Sequence, residues 1–445
     1  MSCIGLLLFG LLTSGSASAA TTAGYLPWWS TSTHTGDYFT GGAFDTQVSI
    51  LDEVVYFGEF QLRNSGRIHY AGMDIVTAPD SNWYIAQMLA TVDRIRTVSP
   101  GTRLTFSIGG AGNSDGFPAV AASAGARATA AADIVAILTR FGFDGVDLDW
   151  EGVTIPAGDV ATAVDYGLLT QEIRAQLGGG ESITVTLQYN RYEAAVQVSP
   201  HVDRIRVMTY DAPELHASGR HTSPSVAGDL ADLMIAAGIP AEQLGIGAAF
   251  YGYTLGGYND YQAYHEIDQR HLAVTGSFLP DHLDEWDGMG FDAPGSVLAK
   301  VAEAEARGLQ EVFAWELTQD AYDPGHFLPL TEALATASGG GGGPGATLTV
   351  GGSCPGPASI EGSGLTPGGM VFLLGSAAPG TTAIGGGPCA GTVTALATPS
   401  RRVTLTADGA GGVSISPSLP PGACGKSVQL LDLTSCVLTN PVLMP

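Results

Sequence analysis

The sequence predicts an α/β domain built on a parallel sheet, followed by a small all-β, sandwich-like domain. Three observations carry this. From residue 20 to about residue 337, short apolar runs alternate with helical patterns, as in strands joined by helical crossovers. Five glycines, Gly339 to Gly343, followed by Pro344 and Gly345, then interrupt the pattern. Beyond them, residues 346–445 are rich in Gly, Pro, Ser and Thr and carry only brief β-type runs.

In chain order, residues 1–19 read as a secretory signal peptide. Ile4 to Leu12 is an apolar run and Ala17-Ser18-Ala19 a cleavage site, although the start lacks a positive charge. The run is too short to span a membrane, so an exported protein with no membrane span is expected. Eight strands follow at Ala23–Trp28, Glu53–Phe60, Arg103–Ile108, Gly145–Trp150, Ile183–Tyr189, Arg204–Tyr210, Leu244–Phe250 and Glu311–Trp315. Between them, Ser81 is placed to cap a helix reaching about Val98. Further helices are expected over Ala122–Arg140, Ala161–Leu177, Ser223–Ala237 and Ser296–Gly308. Residues 338–345 form a flexible linker. The tail, 346–445, offers strands such as Ala346–Val350, Val371–Leu374, Arg402–Ala407, Val413–Ile415 and Ser427–Leu433.

Composition removes some functions. The net charge is −25, and the tail contributes none of it, because three acids there meet three bases. A domain this acidic repels phosphate backbones, which excludes nucleic acid as a partner and suits a neutral polysaccharide. A monomer is expected. Residues 20–337 contain no cysteine, whereas the tail holds Cys354, Cys389, Cys424 and Cys436. With no C-x-x-C pair and no histidine nearby, these read as two disulfides in an exported module, not as a metal site. A strand over Ser427–Leu433 would separate Cys424 from Cys436 by roughly 25 Å. That sets Cys424–Cys436 aside and leaves two pairings, of which Cys354–Cys424 with Cys389–Cys436 is the one expected. Phe372 is the only aromatic residue of the tail, which favours a spacer or stability module over a carbohydrate-binding module built on aromatic platforms.

The chemistry concentrates in Phe141 to Gly152, F-G-F-D-G-V-D-L-D-W-E-G. At strand period, Asp147, Asp149 and Glu151 share one face, while Val146, Leu148 and Trp150 share the other. A solvated acidic surface would not carry such large apolar residues between its charges. Three carboxylates in a row must share protons or hydrogen bonds, and this keeps a carboxylic acid protonated near neutral pH for general acid work.

This stretch resembles the D-G-x-D-x-D-x-E signature of the family 18 glycoside hydrolases, the chitinase family. Leu104-Thr-Phe-Ser-Ile-Gly-Gly110 resembles its S-x-G-G strand and Val207-Met-Thr-Tyr-Asp211 its M-T-Y-D strand. Trp315 stands where the family has a tryptophan ending its last strand. The resemblance implies that the eight strands close into a (β/α)8 TIM barrel with its site at the C-terminal strand ends. It further implies a secreted hydrolase of N-acetylglucosamine polymers that works by substrate-assisted retaining catalysis. Glu151 would be the general acid. Asp149 would orient the substrate acetamido N–H, sharing a proton or hydrogen bond with Asp147, and Tyr210 would donate to the acetamido oxygen. Asp211 and Tyr25 would line the reacting-sugar site, and Trp315 would be its floor. Ser107, Gly109, Gly110, Asp144 and Gly145 would shape the strands around it. No metal or cofactor is implied.

Three positions depart from the family pattern, all on the leaving-sugar side. Ala111 replaces a tryptophan, Ala212 to His216 carries none, and Tyr251-Gly-Tyr253 replaces Y-G-R. Only 60 residues separate Phe250 from Glu311, so the extra α+β lobe of many relatives is expected to be short or absent. Two other readings stay open. One is an endo-β-N-acetylglucosaminidase acting on N-glycans or peptidoglycan. The other is a non-catalytic sugar-binding barrel, which typically lacks the acid that this chain keeps at Glu151.

Overall fold

The computed structural model of the protein describes residues 20–31, 38, 42–322, 329–335, 346–384, 387, 389, 392–439 and 441–445; the expected signal segment and glycine linker lie outside them. Eight strands form the centre: β1 (Thr21–Pro27), β2 (Glu53–Leu62), β3 (Arg103–Gly109), β4 (Gly145–Asp149), β5 (Ser182–Gln188), β6 (Arg204–Met208), β7 (Leu244–Ala249) and β8 (Glu311–Trp315). Each is parallel to its chain neighbours, and β1 pairs with both β2 and β8, so the sheet closes into the expected barrel. Around it lie α1 (Ala43–Ile50), α2 (Trp83–Val98), α3 (Ala124–Phe141), α4 (Val160–Gln176), α5 (Tyr192–Val198), α6 (Pro224–Ala236), α7 (Pro294–Arg307) and α8 (Leu330–Leu334).

Local chemistry explains the helix ends. Ser123, Asp159 and Ser223 each accept a backbone N–H of the first turn at the starts of α3, α4 and α6. The cap of α2 is Asn82, whose side chain accepts from Tyr84 N, and not Ser81 as expected from the sequence. Gly142 ends α3 at φ 73°, a left-handed position that costs glycine nothing. The extra lobe exists in short form. After β7, strands Tyr251–Thr254, Gln262–Ala263, Glu285–Trp286 and Met289–Phe291 make an antiparallel sheet beside a helix, Tyr264–Thr275.

Two polar clusters are sealed inside the barrel domain. At its floor, Arg206 donates to Glu311 at 2.6 Å and to Glu53 at 2.8 Å, while Arg204 reaches both glutamates at 2.6 Å. Behind β7, Lys300 of α7 is fully buried and donates to Thr222 Oγ1 (2.6 Å), Asp292 Oδ2 (2.7 Å) and the Gly247 carbonyl (2.8 Å). Buried charges persist only when paired and hydrogen-bonded, and both clusters meet that condition.

The tail folds into antiparallel sheets. One orders Thr347–Gly352, Gly356–Ser363 and Val413–Ile415; another orders Ser400–Thr406, Met370–Ser376, Ser427–Asp432 and Val442–Leu443. Disulfides join Cys354 to Cys424 and Cys389 to Cys436. The second sheet packs on the barrel domain. Met370, Phe372, Leu374, Leu431 and Leu433 belong to one continuous core with the barrel helices, and Arg401 pairs with Glu332 of α8 at 2.6 Å. A cleft lined by Leu51, Asp52, Gly101 and Thr102 on the barrel side, and by Gly368, Met370 and Thr406 on the tail side, places this contact beside the N-terminal ends of β2 and β3. The C-terminal ends of the strands, where the sequence places the candidate site, face the other way. Deleting everything after Gly339 is therefore expected to leave turnover of short soluble oligosaccharides within about twofold. If the contact is worth about 2–3 kcal/mol, Tm should fall by roughly 3–5 °C. Calorimetry and initial rates on the truncated protein check both halves. An unchanged Tm would show the contact to be idle, and lost turnover would place part of the site in the tail.

Candidate active site

The C-terminal ends of the strands open into a cleft of about 370 Å³ lined by Tyr25, Phe57, Asp149, Glu151, Tyr210, Asp211 and Trp315, among others. The local sequence of β4 sets its centre. Val146 and Leu148 point outward into the helical layer, and Trp150 stacks on Phe117 with ring centroids 5.1 Å apart. Asp147 and Asp149 therefore point inward, and Glu151 follows just beyond the strand end.

Asp147 is completely buried and accepts three hydrogen bonds. Tyr25 Oη (2.9 Å) and Ser107 Oγ (2.8 Å) reach Oδ2, and Thr186 Oγ1 (2.8 Å) reaches Oδ1. Burial still raises its pKa, against the pull of Arg206 below and of these donors. Asp149 has no such set of donors. Burial first, then the charges of Glu151 and Asp147, push its carboxyl well above the usual range. Asp149 hydrogen-bonds Glu151, so in this conformation the sharing runs between Asp149 and Glu151, whereas the bonds of Asp147 go to Tyr25, Ser107 and Thr186. Glu151 is itself raised from 4.5 to about 7, chiefly by burial, with Asp211 adding to the rise and the bond from Asp149 opposing it. The three carboxylates thus occupy three environments, and the outermost titrates near neutrality.

The glycines do mechanical work here. Gly109 (φ 103°) and Gly110 (φ 90°) take a path barred to other residues, and Gly110 N donates to the Asp149 carbonyl at 2.7 Å. A Cβ on Gly109 would meet that carbonyl at 2.3 Å, and one on Gly110 would meet Phe57 at 2.4 Å. On Gly145 it would meet Ser182 at 2.1 Å. Asp144 accepts from Leu104 N (2.8 Å) and Arg96 (2.7 Å), locking β3 to the start of β4 away from the cleft. Trp315 lies 4.9 Å from Phe57 and 5.5 Å from Tyr25 between ring centroids, forming an aromatic wall. Tyr210, two residues past β6, stands edge-on to Tyr251 and Phe313.

Six of the seven sequence-derived catalytic and sugar-site residues therefore line one cleft, and the seventh, Asp147, lies buried beneath it, bonded to Tyr25. Sequence reasoning missed several of their supports. Ser114 bonds the Glu151 N–H at 3.0 Å and the Asp149 carbonyl at 3.2 Å, clamping the loop to the strand end. Thr186 bridges Tyr25 and Asp147. Its inward parity on β5 was a readable signal; Ser114, in a loop, offered none.

Residues 21–320 match the family model of the glycosyl hydrolases family 18. Chitinase C of Streptomyces lividans is 24% identical over 274 residues, covering 51% of this chain and 44% of that protein. Chitotriosidase-1 of Mus musculus is 25% identical over 313 residues, covering 57% and 66%. The chain spans less than half the length of the first curated relatives it matches. Among solved structures, a family 18 chitinase of Flavobacterium johnsoniae superposes with TM-score 0.55 at 20% identity, over 72% of this chain and 94% of that one. An N-acetylglucosaminidase of Paenibacillus barengoltzii gives 0.54 at 21%, over 72% and 99%. A match along the whole barrel, joined to a carboxylate trio on β4 at the mouth, leads to one conclusion: the chain belongs to the family 18 glycosyl hydrolases.

Proposed function

We propose that the protein is an exported hydrolase that cleaves β-1,4 bonds beside N-acetylglucosamine in chitin or its oligosaccharides, with the substrate's own acetamido group as nucleophile. One observation carries this reading. Glu151, raised to about 7, shares a hydrogen bond with Asp149 at an aromatic-walled cleft, so a proton donor stands ready while the second carboxyl is held in that bond and not free to attack. In the first step the acetamido oxygen bonds to the anomeric carbon as the glycosidic C–O bond breaks. The proton of Glu151 passes to the leaving oxygen. With the proton of the Asp149–Glu151 pair drawn onto Glu151 when substrate is in place, Asp149 is the carboxylate that accepts the acetamido N–H and offsets the positive charge that develops, while Tyr210 donates to the acetamido oxygen. Asp211 binds the reacting sugar, and Trp315 and Tyr25 support its apolar face. In the second step water attacks the anomeric carbon, Glu151 takes its proton back, and the acetamido C–O bond breaks.

Two inversions give net retention. Proton NMR of fresh product from an N-acetylglucosamine tetramer is expected to reveal the β-anomer first, and analogues with a 2-hydroxyl in place of the acetamido group should not turn over. An initial α-anomer would refute the mechanism. A class V chitinase of Nicotiana tobaccum has been solved with NAG4, the oligomer class proposed here. Side-by-side assay on chitin oligomers, N-glycans and peptidoglycan separates a chitinase from an endo-β-N-acetylglucosaminidase, and no turnover of any would leave a sugar-binding barrel.

A further inference from the structure

Asp211 sits in an unusual position. Its φ is 56°, a left-handed value that a non-glycine residue holds only when its surroundings enforce it. The enforcement is visible. Tyr251 Oη donates to Asp211 Oδ1 at 2.7 Å, and Tyr258 Oη donates to the Asp211 carbonyl at 3.0 Å. The remaining contact comes from a residue outside the motifs, His221, which is 1% exposed. Its Nδ1 lies 3.1 Å from Asp211 Oδ1, and because a carboxylate only accepts, Nδ1 carries the hydrogen. Its Nε2 lies 3.3 Å from the Tyr251 carbonyl, and its own carbonyl accepts from Ala212 N at 3.1 Å, closing the loop that begins at Asp211.

We infer that His221 is a positioning residue for the reacting-sugar site: it and Tyr251 lock Asp211 through Oδ1 and leave Oδ2 aimed into the cleft for a sugar hydroxyl. Several features support this. Both donors converge on one oxygen, whereas the other has no partner among the described residues, and the Asp211 side chain is 42% exposed at the cleft while Asp147 and Asp149 are buried. The imidazole cannot drift, since it packs on Tyr251 and Tyr253 with ring centroids 5.0 and 5.1 Å away. Thr222, the next residue, is tied to Asp292 and through Lys300 to α7. The chain thus carries a rigid path from the helical layer to one carboxylate oxygen. A group held this way meets the distorted sugar without having to reorient, so its loss should fall on kcat more than on KM.

This inference rests on the hydrolase reading above, and the test separates the two. Asparagine at 221 can place an amide N–H near the Nδ1 position; glutamine places it near Nε2, keeping the Tyr251 contact and losing the one to Asp211. With a fluorogenic N-acetylglucosaminide, His221→Gln is expected to lower kcat at least about tenfold while KM rises less than about threefold, with Tm close to wild type. His221→Asn is expected to recover to within about threefold of wild type. In an Asp211→Ala background, His221→Gln should change turnover by less than about twofold, because a residue acting through another has nothing left to act on. Equal effects of Gln and Asn, no effect of either, or an undiminished loss without Asp211 would each overturn the inference while leaving the hydrolase standing. A wild-type protein inactive on every N-acetylglucosaminide would overturn both.

Discussion

Glu151→Gln is expected to lower kcat by about 10²- to 10⁴-fold, towards the upper end for unactivated oligosaccharides, while the protein still binds them. Glutamine keeps the shape of the side chain and its hydrogen bonding with Asp149 but has no proton to give the leaving oxygen. A matching pH signature should vanish with it. With Glu151 near 7, the acid form is present below that value and lost above it, so wild-type kcat/KM should fall about tenfold per pH unit on the alkaline side. The same shift has a cost in stability. An acid raised in the fold binds its proton more tightly there than in the unfolded chain, so stability declines as pH rises from about 4.5 to about 7. Calorimetric titration of binding and initial rates across pH 5 to 9 provide the readouts. A variant near wild-type rate would remove Glu151 from the chemistry.

Arg206→Leu should produce the largest loss of stability, about 3–5 kcal/mol, with Tm lower by about 5–8 °C. The substitution leaves Glu53 and Glu311 facing Arg204 alone, with one negative charge unmatched in a sealed floor. Burial works to raise Glu53, and the two guanidinium groups overcome it, holding its carboxyl at about 2 against an ordinary 4.5. A depressed carboxylate contributes stability that is present above about pH 4.5 and lost as pH falls towards 2. The difference between variant and wild type should therefore narrow with acidification. Urea unfolding at pH 7 and again at pH 3 tests the sign, and a difference that stays constant or widens would contradict the pairing as the source.

What the sequence made legible follows from burial. Strands covered on both faces read as apolar runs, which is why all eight were found to within a few residues. The trio on β4 was legible because polar alternation inside such a run is rare. Arg206 was not, because its partners come from β2 and β8, more than a hundred residues away in the chain, and only closure of the barrel brings them together. His221 and Ser114 lie in loops without period, and their roles appear only once Asp211 and Glu151 are located. Phe372, the tail's one aromatic residue, has a fully buried ring that lies under Arg401 in the tail's contact with the barrel, so it offers no platform to a sugar.

The sequence holds only two lysines, Lys300 and Lys426, and where they sit has a practical meaning. Lys300 is locked to three acceptors in a fully buried pocket, so succinimidyl esters and aldehyde resins cannot reach it while the protein is folded. Beyond the terminal amine, such reagents meet Lys426 alone, beside the tail strand Ser427–Asp432 and outside the cleft lining. Coupling through amines should tether the enzyme by its tail, with the mouth of the barrel free to meet an insoluble polymer.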